Sequence, residues 1–208
     1  MALATAPSAS RPPSTLVGFG ASSMQGVGDS QGGFLARVAA HCQSRALPVT
    51  VINKGIGGQS SPAMLARTGE LTALRPYDLV VILGCNDLPR ARDRNPAART
   101  SFDTYTDNLR RLLAALPGGG RSLFISSFAV SEKHTGIAPA LFSDYLNAAT
   151  DIARAQRYDI WDLFNETRAG TAPLLAADGL HFNDTGHALI ASRVLDWLLT
   201  PAANTPAA

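Results

Sequence analysis

The sequence predicts a three-layer α/β/α domain built on a parallel, about five-stranded sheet in flavodoxin-like order. Three observations predict it. Short apolar runs rich in β-branched residues alternate with longer segments whose apolar residues recur every three or four positions. Residues 78–83 are apolar almost without interruption, as expected of a strand covered on both faces. A chain of 208 residues with 46% hydrophobic content can bury one sizeable core. Strands alternating with helices imply βαβ units. Right-handed crossovers then place helices on both faces. In such sheets ligands bind beyond the carboxyl ends of the strands.

The elements follow in order. Residues 15–19 form the first strand and residues 49–53 the second, the latter β-branched. Residues 78–83, 122–126 and 157–161 are the third, fourth and fifth. Between them, residues 33–45 carry Phe34, Leu35, Val38, Ala39 and Cys42 on one side of a helix. Residues 102–116 place Phe102, Tyr105, Leu109, Leu112, Leu113 and Leu116 in a broad apolar stripe, and Pro117-Gly118-Gly119-Gly120 stops it. Residues 139–156 keep Leu141, Tyr145, Ala148 and Ile152 in register. Residues 184–199 form the last helix, with Asp184 or Thr185 as N-cap and Pro201 as its stop. One domain is expected over residues 15–200, with flexible segments at 1–14 and 201–208.

Composition narrows the partners. The net charge of +2 argues for neither nucleic acid nor a charged membrane surface. No apolar stretch approaches the ~20 residues needed to span a bilayer. The first 14 residues lack the basic and apolar regions of a signal peptide, so a cytoplasmic location is expected. Cys42 and Cys85 have no CxxC or metal-ligand spacing and read as two buried thiols. A reducing compartment suits them.

Four loops carry chemistry-bearing residues. After the first strand comes Gly20-Ala21-Ser22-Ser23-Met24-Gln25-Gly26, where a serine at a strand-to-helix turn can expose its hydroxyl and keep its N–H free. After the second comes Asn53-Lys54-Gly55-Ile56-Gly57-Gly58-Gln59-Ser60-Ser61, whose glycines let backbone approach a ligand. After the third comes Gly84-Cys85-Asn86-Asp87, where an Asn amide can donate to an oxyanion. Near the end lies Asp178-Gly179-Leu180-His181, an acid three residues from an imidazole that it could orient and stabilise when charged. No second DxxH, HxxxH or carboxylate cluster accompanies this pair, which disfavours a metal site.

These four segments, in this order, resemble the SGNH, or GDSL-like, hydrolases (lipases and esterases), from Gly20 to His187. The resemblance implies a serine esterase that needs no cofactor and no metal. It implies Ser22, His181 and Asp178 as catalytic residues. It implies the Ser22 and Gly58 N–H groups and the Asn86 side chain as oxyanion donors. The substrates implied are small-molecule carboxylic esters with a short-chain acyl, acyl-sugar or lysophospholipid character. The chain departs from the usual Gly-Asp-Ser-Leu block, having Ala21 for the Asp and Ser23 for the Leu, and it has Phe182 where a proline often follows the histidine.

Other readings stay open. Acyl transfer to an alcohol or amine would use the same site. A nucleotide- or flavin-binding domain shares the fold class, although Gly18-Phe19-Gly20-Ala21-Ser22-Ser23 only partly matches GxGxxG and the second strand ends in Asn53 rather than an acid. Ser23 competes with Ser22 on residue type alone, and the family register favours Ser22. Ser60 and Ser61 read as turn or helix caps, and Asp87 as support for its loop. His187 reads as a packing or surface residue on the last helix, while His41 and His134 have no partner motif. Arg90, Arg92, Arg94 and Arg99 read as a solvated basic face.

Overall fold

The computed structural model describes residues 14–89, 91, 93, 99–127, 130–167 and 172–200. The segments expected to be flexible, and Arg90, Arg92 and Arg94, lie wholly or almost wholly outside these residues. Five parallel strands are present: β1 (Ser14–Gly20), β2 (Val49–Gly55), β3 (Tyr77–Ile82), β4 (Gly119–Ile125) and β5 (Asp159–Trp161). Their order is β2-β1-β3-β4-β5, the flavodoxin-like order expected.

Successive strand residues point to opposite faces, and both faces are buried. Val17, Phe19, Leu79, Val81 and Phe124 face one core. It is closed by α3 (Ser61–Ala66), α4 (Phe102–Ala115) and α6 (Pro139–Ala155). Leu16, Val80, Ile82, Leu123 and Ile125 face the other, closed by α2 (Phe34–Ser44) and α8 (Asp184–Leu199). This is why the central strand reads as a continuous apolar run. Cys42 and Cys85 are both buried. No described helix is long and apolar enough to cross a membrane.

Short helices complete the loops: α1 (Ser22–Gln25), α5 (Glu132–Thr135) and α7 (Leu163–Thr167). One expectation is corrected at α8. Its N-cap is Asn183, whose side chain accepts from the Gly186 N–H at 3.0 Å, not Asp184 or Thr185. Asp184 is engaged elsewhere, by the N–H and the hydroxyl of Ser30, each at 2.7 Å.

Candidate active site

Strand β1 lies between β2 and β3, so the chain leaves β1 towards one neighbour and returns on its other side. Loops diverge at that point and open a crevice at the carboxyl edge. Ser22 stands there as the first residue of α1. The first N–H groups of a helix have no partner within it. Ser22 is half-buried, whereas Ser23 is buried. Ala21 is fully buried, and its methyl lies against Gly84 in the loop after β3. A carboxylate at position 21 would be packed into that contact.

The turn is held by other groups. Asn53 donates its side-chain amide to the Met24 carbonyl at 2.8 Å. Gln25 accepts the Gly57 N–H through Oε1, also at 2.8 Å. These bonds fix the loop after β2 to the helix that carries Ser22. The next residues are tied to the third loop. Asn86 Nδ2 donates to the Gln59 carbonyl at 3.0 Å, leaving one amide hydrogen for another acceptor. Gly58 sits between these anchors in a left-handed conformation (φ +76°).

Asp87 is buried and accepts from Ser61 twice at its N–H (2.8 and 3.0 Å) and once from its hydroxyl (2.7 Å). It therefore clamps α3, and the loop before it, against the Asn86 turn. Arg99 does not form part of a solvated face. It pairs with Asp93 at 2.9 Å and donates to the Asn86 carbonyl at 3.0 Å.

The Asp178–His181 segment is a closed turn. An antiparallel bridge joins Leu175 to Phe182, and the Ala176 N–H donates to the His181 carbonyl at 2.8 Å. Asp178 uses both carboxylate oxygens. Oδ1 accepts the N–H groups of Leu180 (2.9 Å) and His181 (3.0 Å), and Oδ2 lies 2.6 Å from His181 Nδ1. Burial pushes the Asp178 carboxyl upward, but these bonds and the imidazole charge outweigh it and hold the group below its usual value. With Nδ1 facing the carboxylate, the Nε2 lone pair is available. Among the described residues neither Ser22 Oγ nor His181 Nε2 makes a hydrogen bond.

Two braces were not legible as motifs. His134, which has no partner in the sequence, packs with Ser131 against Gly179 of the turn, and Ser131 N–H donates to the Gly179 carbonyl at 2.9 Å. Gly179 has φ +63°, and any side chain there would strike Ser131 and His134. The second brace joins the loop that follows Ser22 to the loop that carries His181. A side chain at Gly28 would collide with the Phe182 carbonyl beside His181. Around it, Asp29 pairs with Arg37 at 2.5 Å, and that bond is the main reason its carboxyl is held far below the usual range.

His187 belongs to the same brace. It is fully buried, accepts the Phe34 N–H at Nδ1 (3.2 Å) and faces the Val27 carbonyl through Nε2 (3.2 Å). It is therefore a core histidine rather than a surface one. Burial lowers its proton affinity below the ordinary 6.5. The unfolded chain then binds this proton more readily, so stability is present above about pH 6.5 and is lost as pH falls below it. Denaturant midpoints at pH 8 and pH 5.5 should show this loss, and His187→Gln should flatten the slope relative to the unaltered protein.

The doubly wound sheet gathers its chemistry-bearing loops at the carboxyl edge, where α/β domains of this class place their ligand sites. The chain belongs to the GDSL-like lipase/acylhydrolase family, whose model matches residues 19–189. It is a carboxylic ester hydrolase. Its fold is similar to that of a lipase/acylhydrolase from Enterococcus faecalis (20% identity, TM-score 0.75, covering 91% of this chain and 99% of that one). It is also similar to Axe2, an acetylxylan esterase from Geobacillus stearothermophilus (22% identity, TM-score 0.71, covering 93% and 97%). A third similar structure is the acetyl xylan esterase AlAXEase (20% identity, TM-score 0.75, covering 89% and 100%). No curated protein matches the chain.

Proposed function

We propose that the protein hydrolyses carboxylic esters by a serine mechanism with a covalent acyl-enzyme. The observation that carries this reading is the Asp178–His181 turn, in which one carboxylate fixes both the loop backbone and the ring 2.6 Å away. His181 Nε2 takes the Ser22 proton as Oγ attacks the acyl carbon, then returns it to the departing alcohol. Asp178 holds the ring and stabilises its cation. The tetrahedral oxyanion is met by the N–H groups of Ser22 and Gly58 and by the remaining amide hydrogen of Asn86. Water, activated by the same imidazole, then cleaves the acyl-enzyme.

The substrates are small esters of short-chain acyl, acyl-sugar or lysophospholipid type. The acetylxylan esterases of similar fold favour the acyl-sugar end of that range. Kinetics of Asn86→Ala on a p-nitrophenyl ester test the oxyanion assignment. Losing one donor should lower kcat by about 10²–10³-fold, or about 3–4 kcal/mol, with KM little changed. An unaltered kcat would remove Asn86 from the site.

A further inference from the structure

The His181 turn and the Asn86 loop are far apart in sequence, and one short segment spans them. At one end the Ser131 N–H donates to the carbonyl of Gly179, two residues before His181, at 2.9 Å. At the other end the Gly136 carbonyl accepts the N–H of Ala91, five residues after Asn86, at 2.7 Å. Between these ends lies α5 (Glu132–Thr135). The bonds of Asp178 to Leu180 and His181, and of Ala176 to His181, shape the turn from within. Ser131 holds it from outside.

A segment this short keeps a distance only if it is stiff, and one helical turn has little stability of its own. Thr135 supplies the stiffness. It is buried, and its hydroxyl donates to the Ser131 carbonyl at 2.9 Å while accepting the Ile137 N–H at 3.2 Å. One side chain thus ties the start of α5 to its exit. Ile137 is fully buried in the core that holds Phe124, which roots the segment. Gly136 completes the exit in a left-handed conformation (φ +68°), where an added methyl would lie 3.3 Å from the Ala91 nitrogen.

Resting on the serine-esterase reading above, we infer that Thr135 is a positioning residue: through α5 it sets the His181 turn in place relative to the Asn86 loop. The base and the oxyanion donor must meet one tetrahedral centre, so their relative placement matters most in the transition state. A misplacement of ~1 Å from a change remote from the chemistry can cost on the order of 10²-fold. That cost falls on kcat and leaves substrate binding little altered.

The test is steady-state kinetics on a p-nitrophenyl ester, at a temperature where circular dichroism shows each variant folded. Thr135→Val removes the hydroxyl and nearly keeps the shape. It should lower kcat roughly tenfold to hundredfold with KM changed by no more than about twofold. Thr135→Ser keeps the hydroxyl and should restore most of kcat. The deciding comparison is made in Asn86→Ala, where one of the two aligned groups is gone. There Thr135→Val should cost a several-fold smaller factor, because residues that act together are not additive. A residue that only stabilises the fold would cost the same factor in both backgrounds. Gly136→Ala strains the other end of the segment and should behave as Thr135→Val does, so it decides the matter if that variant fails to fold. Unchanged kcat in the folded variants, an equal loss with and without Asn86, or a loss in Thr135→Ser as large as in Thr135→Val would overturn the positioning role and leave the serine esterase standing. No hydrolysis by the unaltered protein above the Ser22→Ala rate would instead overturn the reading on which the inference rests.

Discussion

Ser22→Ala is expected to lower kcat on a p-nitrophenyl ester by on the order of 10⁴- to 10⁶-fold, the range seen when a serine nucleophile is removed. The fold should survive. Among the described residues the Ser22 hydroxyl makes no hydrogen bond that the turn depends on, and the turn is held by Asn53 on Met24 and Gln25 on Gly57. Circular dichroism and the melting temperature should therefore match those of the unaltered protein. Ser23→Ala is the informative companion. Ser23 is buried, whereas Ser22 is half-buried, so loss of Ser23 should reduce activity far less. If Ser23→Ala were the inactive variant, the nucleophile would have been placed one residue off.

The second large effect separates base from orienter. His181→Ala removes the only imidazole placed to take the Ser22 proton in this account, and activity should fall about as far as in Ser22→Ala. Asp178→Asn should fall less, by about 10⁴-fold at most. An Asn at 178 keeps an oxygen for the Leu180 and His181 N–H groups, so the turn persists. Its amide, however, presents hydrogens to Nδ1 and favours the tautomer protonated at Nε2. That tautomer cannot accept a proton from serine. Steady-state kinetics of the two variants decide the roles, and a reversed order of severity would show that Asp178 does more than orient the ring.

Long elements were legible because their periods have room to repeat. The α8 helix spans Asp184–Leu199, and α6 departs by a single residue from the expected range. Helices of four to six residues (α1, α3, α5 and α7) offer too few turns to show a period. The fourth strand was placed late for a different reason. Gly119 and Gly120, read as a helix stop, already belong to β4, because glycine lets that strand pass close over Tyr77 and Asp78.

The candidate site divides in the same way. Ser22, Gly58, Asn86 and the Asp178–His181 pair stand in short local motifs at loop positions that the topology brings to one edge. The groups that hold them are separated in sequence. Ser30 and Asp184 are 154 residues apart, and Asn86 reaches back 27 residues to Gln59. The contact of His134 with Gly179 has no local signature at all. Only a folded chain shows why Ala21 can replace the family's acid: it fills a buried contact with Gly84, and neighbouring amides carry the loop.

The central claim is that Ser22 forms a covalent intermediate. The most direct measurement is labelling of the native protein with a fluorophosphonate, followed by mass mapping of the modified peptide. One equivalent of label on Ser22, with esterase activity lost in step and no labelling of His181→Ala over the same period, is the result predicted here. Label on another residue, or full esterase activity in protein that does not label, would contradict it.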